Sequence, residues 1–166
     1  MADARLAPEL AAERLKERIY ATITMVAVLI GLTFAGGLDA LGAALTVAVT
    51  ALGLWLASLV ADVQAHRTVH RASLDRSGMR EALFVSSPLL LAAVSPLVLV
   101  ALSALGAMGL VTALRVAAGL DVLSLFLWGY AGGRRMGNGP WVAVIAGIAD
   151  TAIGLAVAVV KLLAGH

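Results

Sequence analysis

Beyond its first eighteen residues the chain is almost continuously apolar, and a single long polar interval, Asp62 to Glu81 (DVQAHRTVHRASLDRSGMRE), divides it. A helix needs roughly 20 apolar residues to cross a bilayer core of about 30 Å, and several runs on either side of the interval approach or exceed that length. Of the 166 residues, 61% are hydrophobic and 13% charged, whereas about a quarter are charged in ordinary soluble domains. A chain this small cannot bury so much apolar surface in a water-soluble core. The expected fold is all-α, a five-helix transmembrane bundle forming one domain over residues 1–166.

Local punctuation places the spans at about 19–35, 41–63, 88–105, 110–130 and 141–163, with a basic hinge over 64–86. Residues 1–18 mix Glu9, Glu13 and Glu17 with Arg14, Lys16 and Arg18, a surface helix leading into an uncleaved anchor rather than a signal peptide. Gly36 and Gly37 close the first span, and the short loop to Ala40 returns the second antiparallel beside it. Ser87 can cap a third span that starts at Pro88, where a missing N–H costs nothing. Pro96 falls near the middle of that span and predicts a kink. The turn Gly106–Gly109 and the glycine-rich loop Gly132–Pro140 delimit the last two spans.

Basic residues fix an orientation. Arg5, Arg14, Lys16 and Arg18 precede the first span, Arg67, Arg71, Arg76 and Arg80 lie in the hinge, and Arg134 and Arg135 lie in the glycine-rich loop, while loops 36–40 and 106–109 carry none. With five spans, all three basic segments share one side. The positive-inside rule then predicts a cytoplasmic N-terminus and an external C-terminus. Such short basic segments contact anionic lipid rather than nucleic acid.

The candidate chemistry lies inside the spans. Asp121 sits near the centre of the fourth and Asp150 slightly before the centre of the fifth, so an antiparallel pair is expected to bring both to similar depth. An ionised Asp there costs about 2.5–3.5 kcal/mol on insertion scales, and such a desolvated carboxylate can carry a proton or bind a cation. The alternative is a static ion pair with Arg115, which is six residues from Asp121 and so about 120° around the helix. Arg115 can instead snorkel to the interface. Gly147, Asp150 and Gly154 share one face, with Lys161 two turns along, and small residues beside a polar one admit a close helix partner, from this chain or a second copy.

Asp62, His66 and His70 fall at i, i+4 and i+8, a spacing at which two imidazoles and a carboxylate can chelate a divalent metal. The glutamate of HExxH is absent, and Arg67 and Arg71 oppose a cation beside them. The competing reading is a juxtamembrane basic segment held to headgroups by its arginines. No cysteine is present, which removes disulfides, thiolate metal sites and thiol nucleophiles. There is no GxSxG, GxxxxGK[ST] or CxxC motif either, so an enzyme is not expected, nor a cofactor beyond that one metal possibility.

The stretches RLKERIYATITMVAVLIGL, LGLWLASLVADVQAHR and GRRMGNGPWVAVIAGIADTAIGLAVAVVKLL together resemble a group of small actinobacterial integral membrane proteins of unknown function. That resemblance implies a bacterial plasma membrane and a helical bundle rich in alanine, valine and leucine, and it brings no activity. A second similarity is to the vacuolar iron transporter-like proteins, through five spans and the basic turn GGRRMGNGP before the last helix. Here ERIYATITMVAVL lacks that family's first-helix Asp-Gly signature, and a short basic hinge replaces its acidic metal-binding region. The functional expectation is a small transporter or channel for ions or protons, homo-oligomeric, with Asp121 and Asp150 on the path. The alternative is a scaffold or accessory subunit in which the same carboxylates serve packing.

Overall fold

The computed structural model describes residues 3–164, with side chains from Pro8 to Ala164. All regular structure among them is helical: α1 (Asp3–Phe34), α2 (Ala40–His70), α3 (Arg76–Leu91), α4 (Val94–Ala104), α5 (Leu110–Arg135) and α6 (Pro140–Ala164). Helices α3 and α4 follow one another across a short break and act as one segment, so five segments are long and apolar enough to cross a membrane. The outer surface agrees with a lipid solvent. α2 turns Leu45, Val49, Leu52, Leu56 and Val60 outward along one face, an apolar stripe that water would not tolerate on a monomeric soluble protein. The chain is a multi-pass membrane protein.

Helix α1 is the central element. Its Met25, Val26 and Leu29 are fully buried, and it packs against α2, α3, α5 and α6. Most of the remaining core is small: Ala43, Val47 and Ala51 on α2, Ala113 and Ala117 on α5, and Ala143 and Ala158 on α6. Lipid tails are as apolar as leucine, so helices in a bilayer associate through close van der Waals approach, which small side chains permit. Alanine-rich faces therefore do here what leucine-rich faces do in a soluble bundle.

The polar interval is helical almost throughout. The expected hinge over 64–86 contracts to the turn Arg71–Asp75, because α2 continues through His70 and α3 begins at Arg76. Arg71 ends α2 in the left-handed conformation, φ 52°. Asp75 caps α3, accepting hydrogen bonds from Gly78 N (2.8 Å) and Ser77 Oγ (2.7 Å). These bonds, the Gly78 amide foremost, favour the ionised form and hold the Asp75 carboxyl below the ordinary carboxylate range. A pKa lower in the folded than in the unfolded state contributes stability above the unfolded value, lost as pH falls through the folded one. The first turn of α3 should thus fray on acidification, read as faster exchange of the Gly78 amide, and Asp75→Asn should make that exchange protection independent of carboxylate titration.

Two prolines shape the third span. Pro88 lies inside α3 rather than in its first turn, and Ser87, expected as a cap, instead donates Oγ–H to Phe84 O at 2.8 Å. Proline has no N–H for the carbonyl four residues back, which leaves Phe84 O without its helical donor. Arg14 of α1 takes that place: Nη1 donates to Phe84 O at 2.9 Å, and the guanidinium carbon lies 3.7 Å from the centre of the Phe84 ring. Pro96 deprives Ala92 O in the same way, and there the helix breaks, with Ala92 and Ala93 separating α3 from α4. The kink expected from Pro96 is located four residues before it.

The Arg14 contact should depend on the proline. Arg14→Gln is expected to cost about 1.5–3 kcal/mol, the range of a hydrogen bond involving a charged group, and to cost less in a Pro88→Ala background, where residue 88 can donate to Phe84 O itself. A double-mutant cycle on unfolding free energies measures the coupling.

Short turns then fold the chain back on itself. After α4, Ala107 N bonds Leu102 O and Gly106 N bonds Ser103 O, with Gly106 at φ 81°; this is the Schellman arrangement, which favours glycine at its left-handed position. Residues 136–139 connect α5 to α6, so these two helices pack antiparallel along their lengths.

Candidate ion-handling site

The inward face of α5 is built from Ala113, Ala117, Asp121, Leu125, Gly129 and Gly133, spaced four residues apart and all buried. Asp121 is the one ionisable member. It is 7% exposed, and its Oδ2 has no hydrogen-bond partner. Ser124 does not supply one, since its Oγ–H goes back to the main-chain oxygen of Asp121 at 2.8 Å. Nor does a cation pair with it: the ionic contact found among the described residues joins Lys16 to Glu13 on α1. Buried polar atoms are nearly always partnered, so an orphan carboxylate oxygen calls for an explanation.

Contacts between helices give its depth. A methyl group on Gly154 of α6 would lie 2.8 Å from Leu125 Cδ1 and 3.4 Å from Ile23 Cγ1, and one on Gly31 would lie 3.2 Å from Leu162 Cδ2. Asp121, one turn from Leu125 toward the far end of the bundle, is therefore level with the part of α1 between Ile23 and Gly31. That is the middle of the first span.

Asp150 is at a different depth. A Cβ built on Gly129 would stand 2.5 Å from Asp150 Oδ2, so the carboxylate lies beside Gly129, eight residues or about 12 Å along α5 from Asp121. The expected pairing of the two carboxylates at one level is corrected by this offset. Asp150 is also exposed, whereas Gly147 and Gly154 on the same helix are buried. Gly147 is pressed against Phe126 and Gly154 against Leu125 and Ile23, so the small-residue face expected to admit a helix partner is occupied by α5 and α1 of the same chain.

A groove of about 170 Å³ opens between α1, α5 and α6, lined by Ile19, Ile23, Leu125, Trp128, Asp150 and Ile153 among others. An exposed carboxylate thus lies at the groove, and the buried Asp121 stands outside its lining, one turn along α5 from Leu125. Arg18 of α1 sits at the same end, 5.4 Å from the Trp128 ring centre.

The other sequence candidates are dispersed. Arg115 is exposed near the start of α5 and pairs with no carboxylate among the described residues. Asp62 and His66 line one groove with Glu13 and Glu81, and the His66 and His70 rings lie 4.6 Å apart. No group of three or more His, Asp or Glu side chains among the described residues is placed to hold a metal ion. Arg67, Arg71, Arg76 and Arg80 are exposed around the α2–α3 turn. Arg134 donates to Asn138 O at 3.1 Å across the α5–α6 loop, and Arg135 faces α1 from the end of α5.

Two interactions were not anticipated. Arg14 on Phe84 had a signal, because Pro88 announces a free carbonyl four residues earlier. Lys161 Nζ donates to Thr24 Oγ1 at 2.6 Å and lies 4.7 Å from the Tyr20 ring centre, a bridge from α6 to α1 for which the sequence offers no spacing rule. Comparison with known proteins brings nothing further to the site, as no family model, curated protein or solved structure matches the chain.

Proposed function

We propose that the chain is a small transporter or channel for protons or a small cation, with Asp121 as the group that takes up and releases the transported charge. The observation that carries this reading is the unpartnered Oδ2 of Asp121 in the middle of the span. A carboxylate kept for packing alone would be expected to have both oxygens bonded or a cation beside it, since an unpaired charge at this depth costs several kcal/mol. A carboxylate that must change its charge state is better served by having no fixed partner. Asp150 then attracts the cation at the groove, and displacement of Leu125 connects the groove to Asp121.

On this reading the basic end of the bundle faces the cytoplasm of a bacterial cell, following the arginine distribution. The N-terminus is cytoplasmic and the C-terminus external. Flux into proteoliposomes, followed with pH-sensitive and cation-sensitive dyes, tests the proposal. Protein-dependent flux is expected, and vesicles no more permeable than protein-free controls would overturn it.

A further inference from the structure

At the basic end, α1, α3 and α5 enclose a groove of about 530 Å³ into which Arg14, Arg18 and Arg135 all project. We propose that this groove binds an anionic phospholipid, with the phosphate held among the three guanidinium groups and an acyl chain laid along Phe84, Pro88 and Trp128. The inference is independent of whether the bundle conducts.

Charge supports an anion. None of the three arginines pairs with a carboxylate among the described residues. Arg14 spends one donor on Phe84 O, which fixes its plane against the Phe84 ring and leaves the other N–H groups of its five-donor fork for a ligand. Planar guanidinium groups bind phosphate oxygens in pairs, which makes arginine the suited residue for this headgroup. No carboxylate lines this groove, whereas Glu13, Asp62 and Glu81 line a separate one at the same end between α1, α2 and α3. The two grooves thus carry opposite charge, and only the first welcomes an anion.

Position and lining support a lipid rather than a free phosphate. The arginines stand where α1 passes from its charged segment to its apolar one after Arg18, the level of the headgroups. Beside them the wall is aromatic and apolar, Arg14 lying on the Phe84 ring and Arg18 against Trp128, with Trp128 in the place that interfacial tryptophans favour. A soluble anion would leave that wall uncovered.

Quenching of Trp128 by brominated lipid tests the proposal, using the full chain with Trp55→Phe and Trp141→Phe in phosphatidylcholine vesicles. Brominated phosphatidylglycerol should quench at mole fractions well below those needed of brominated phosphatidylcholine. Arg18→Gln with Arg135→Gln should raise the mole fraction for half-quenching by about tenfold, whereas Arg67→Gln with Arg80→Gln, at the exposed α2–α3 turn, should leave it unchanged. Glycerol phosphate in solution should not compete. Equal quenching by the two lipids, an equal shift from the turn arginines, no shift from the groove arginines, or displacement by glycerol phosphate would each overturn it.

Discussion

Asp121→Asn is expected to abolish flux in proteoliposomes, a fall of about 100-fold or more toward the protein-free background, because a neutral amide cannot exchange a proton or neutralise a cation in the middle of the span. The fold should survive the change. Asn matches Asp in size, and no hydrogen bond or ion pair of the carboxylate is lost, since Oδ2 has no partner and the Ser124 bond goes to the main chain. Expression and melting temperature should therefore stay close to those of the unaltered protein. A scaffold predicts the reverse pattern, with unfolding or failed assembly and no flux to lose. Asp150→Asn should have a smaller effect on flux, because its carboxylate is exposed at the groove and acts on entry alone.

The second large effect concerns stability. Helices α5 and α6 meet at contact distances that leave no room for a side chain: a methyl on Gly129 would lie 2.8 Å from Gly147 Cα, and one on Gly147 would lie 2.8 Å from Phe126 O and 2.9 Å from two of its ring carbons. The obstructing atoms include backbone, so the helices themselves must part. Gly129→Ala and Gly147→Ala are each expected to destabilise by about 1–3 kcal/mol, the usual cost of overpacking. Together they should separate the pair further. Gly53→Ala and Gly119→Ala provide the contrast, because nothing lies within 4 Å of a Cβ there, and alanine should be neutral or slightly stabilising in the helix. Thermal unfolding in one detergent compares all four.

Much of the architecture was legible because it follows from hydropathy. Five apolar runs separated by glycine turns and basic segments allow little else, and the helices agree. Helix ends outside the apolar region were less legible: hydropathy registers where the lipid stops, whereas the helical backbone needs no apolar sequence to continue, so α2 runs on to His70 and α3 begins at Arg76. The capping Asp75 was the available signal. Likewise Pro88 reads equally well as a first-turn proline or as an interior one, and the two donors that reach Phe84 O, Ser87 Oγ and Arg14 Nη1, explain how the interior position is tolerated.

The relation between the two carboxylates was misjudged by placing each at the centre of its own span. The loop offers a better ruler. Asp121 is fifteen residues before Met136 and Asp150 eleven after Gly139, so a tight antiparallel pair puts Asp150 nearer the loop, as found. The unpaired state of Asp121 was not legible at all. It depends on what the neighbouring helices present at that level, and the sequence of one helix does not contain that information.

The central claim, that Asp121 changes its charge state inside the bundle, is tested most directly by infrared difference spectroscopy of the reconstituted protein through a pH titration. A protonated-carboxyl band that is lost on raising the pH, in the same range in which flux changes, and that is missing from Asp121→Asn, is the predicted result. A spectrum that is identical in the two proteins, or a band that stays constant while flux changes, would contradict it.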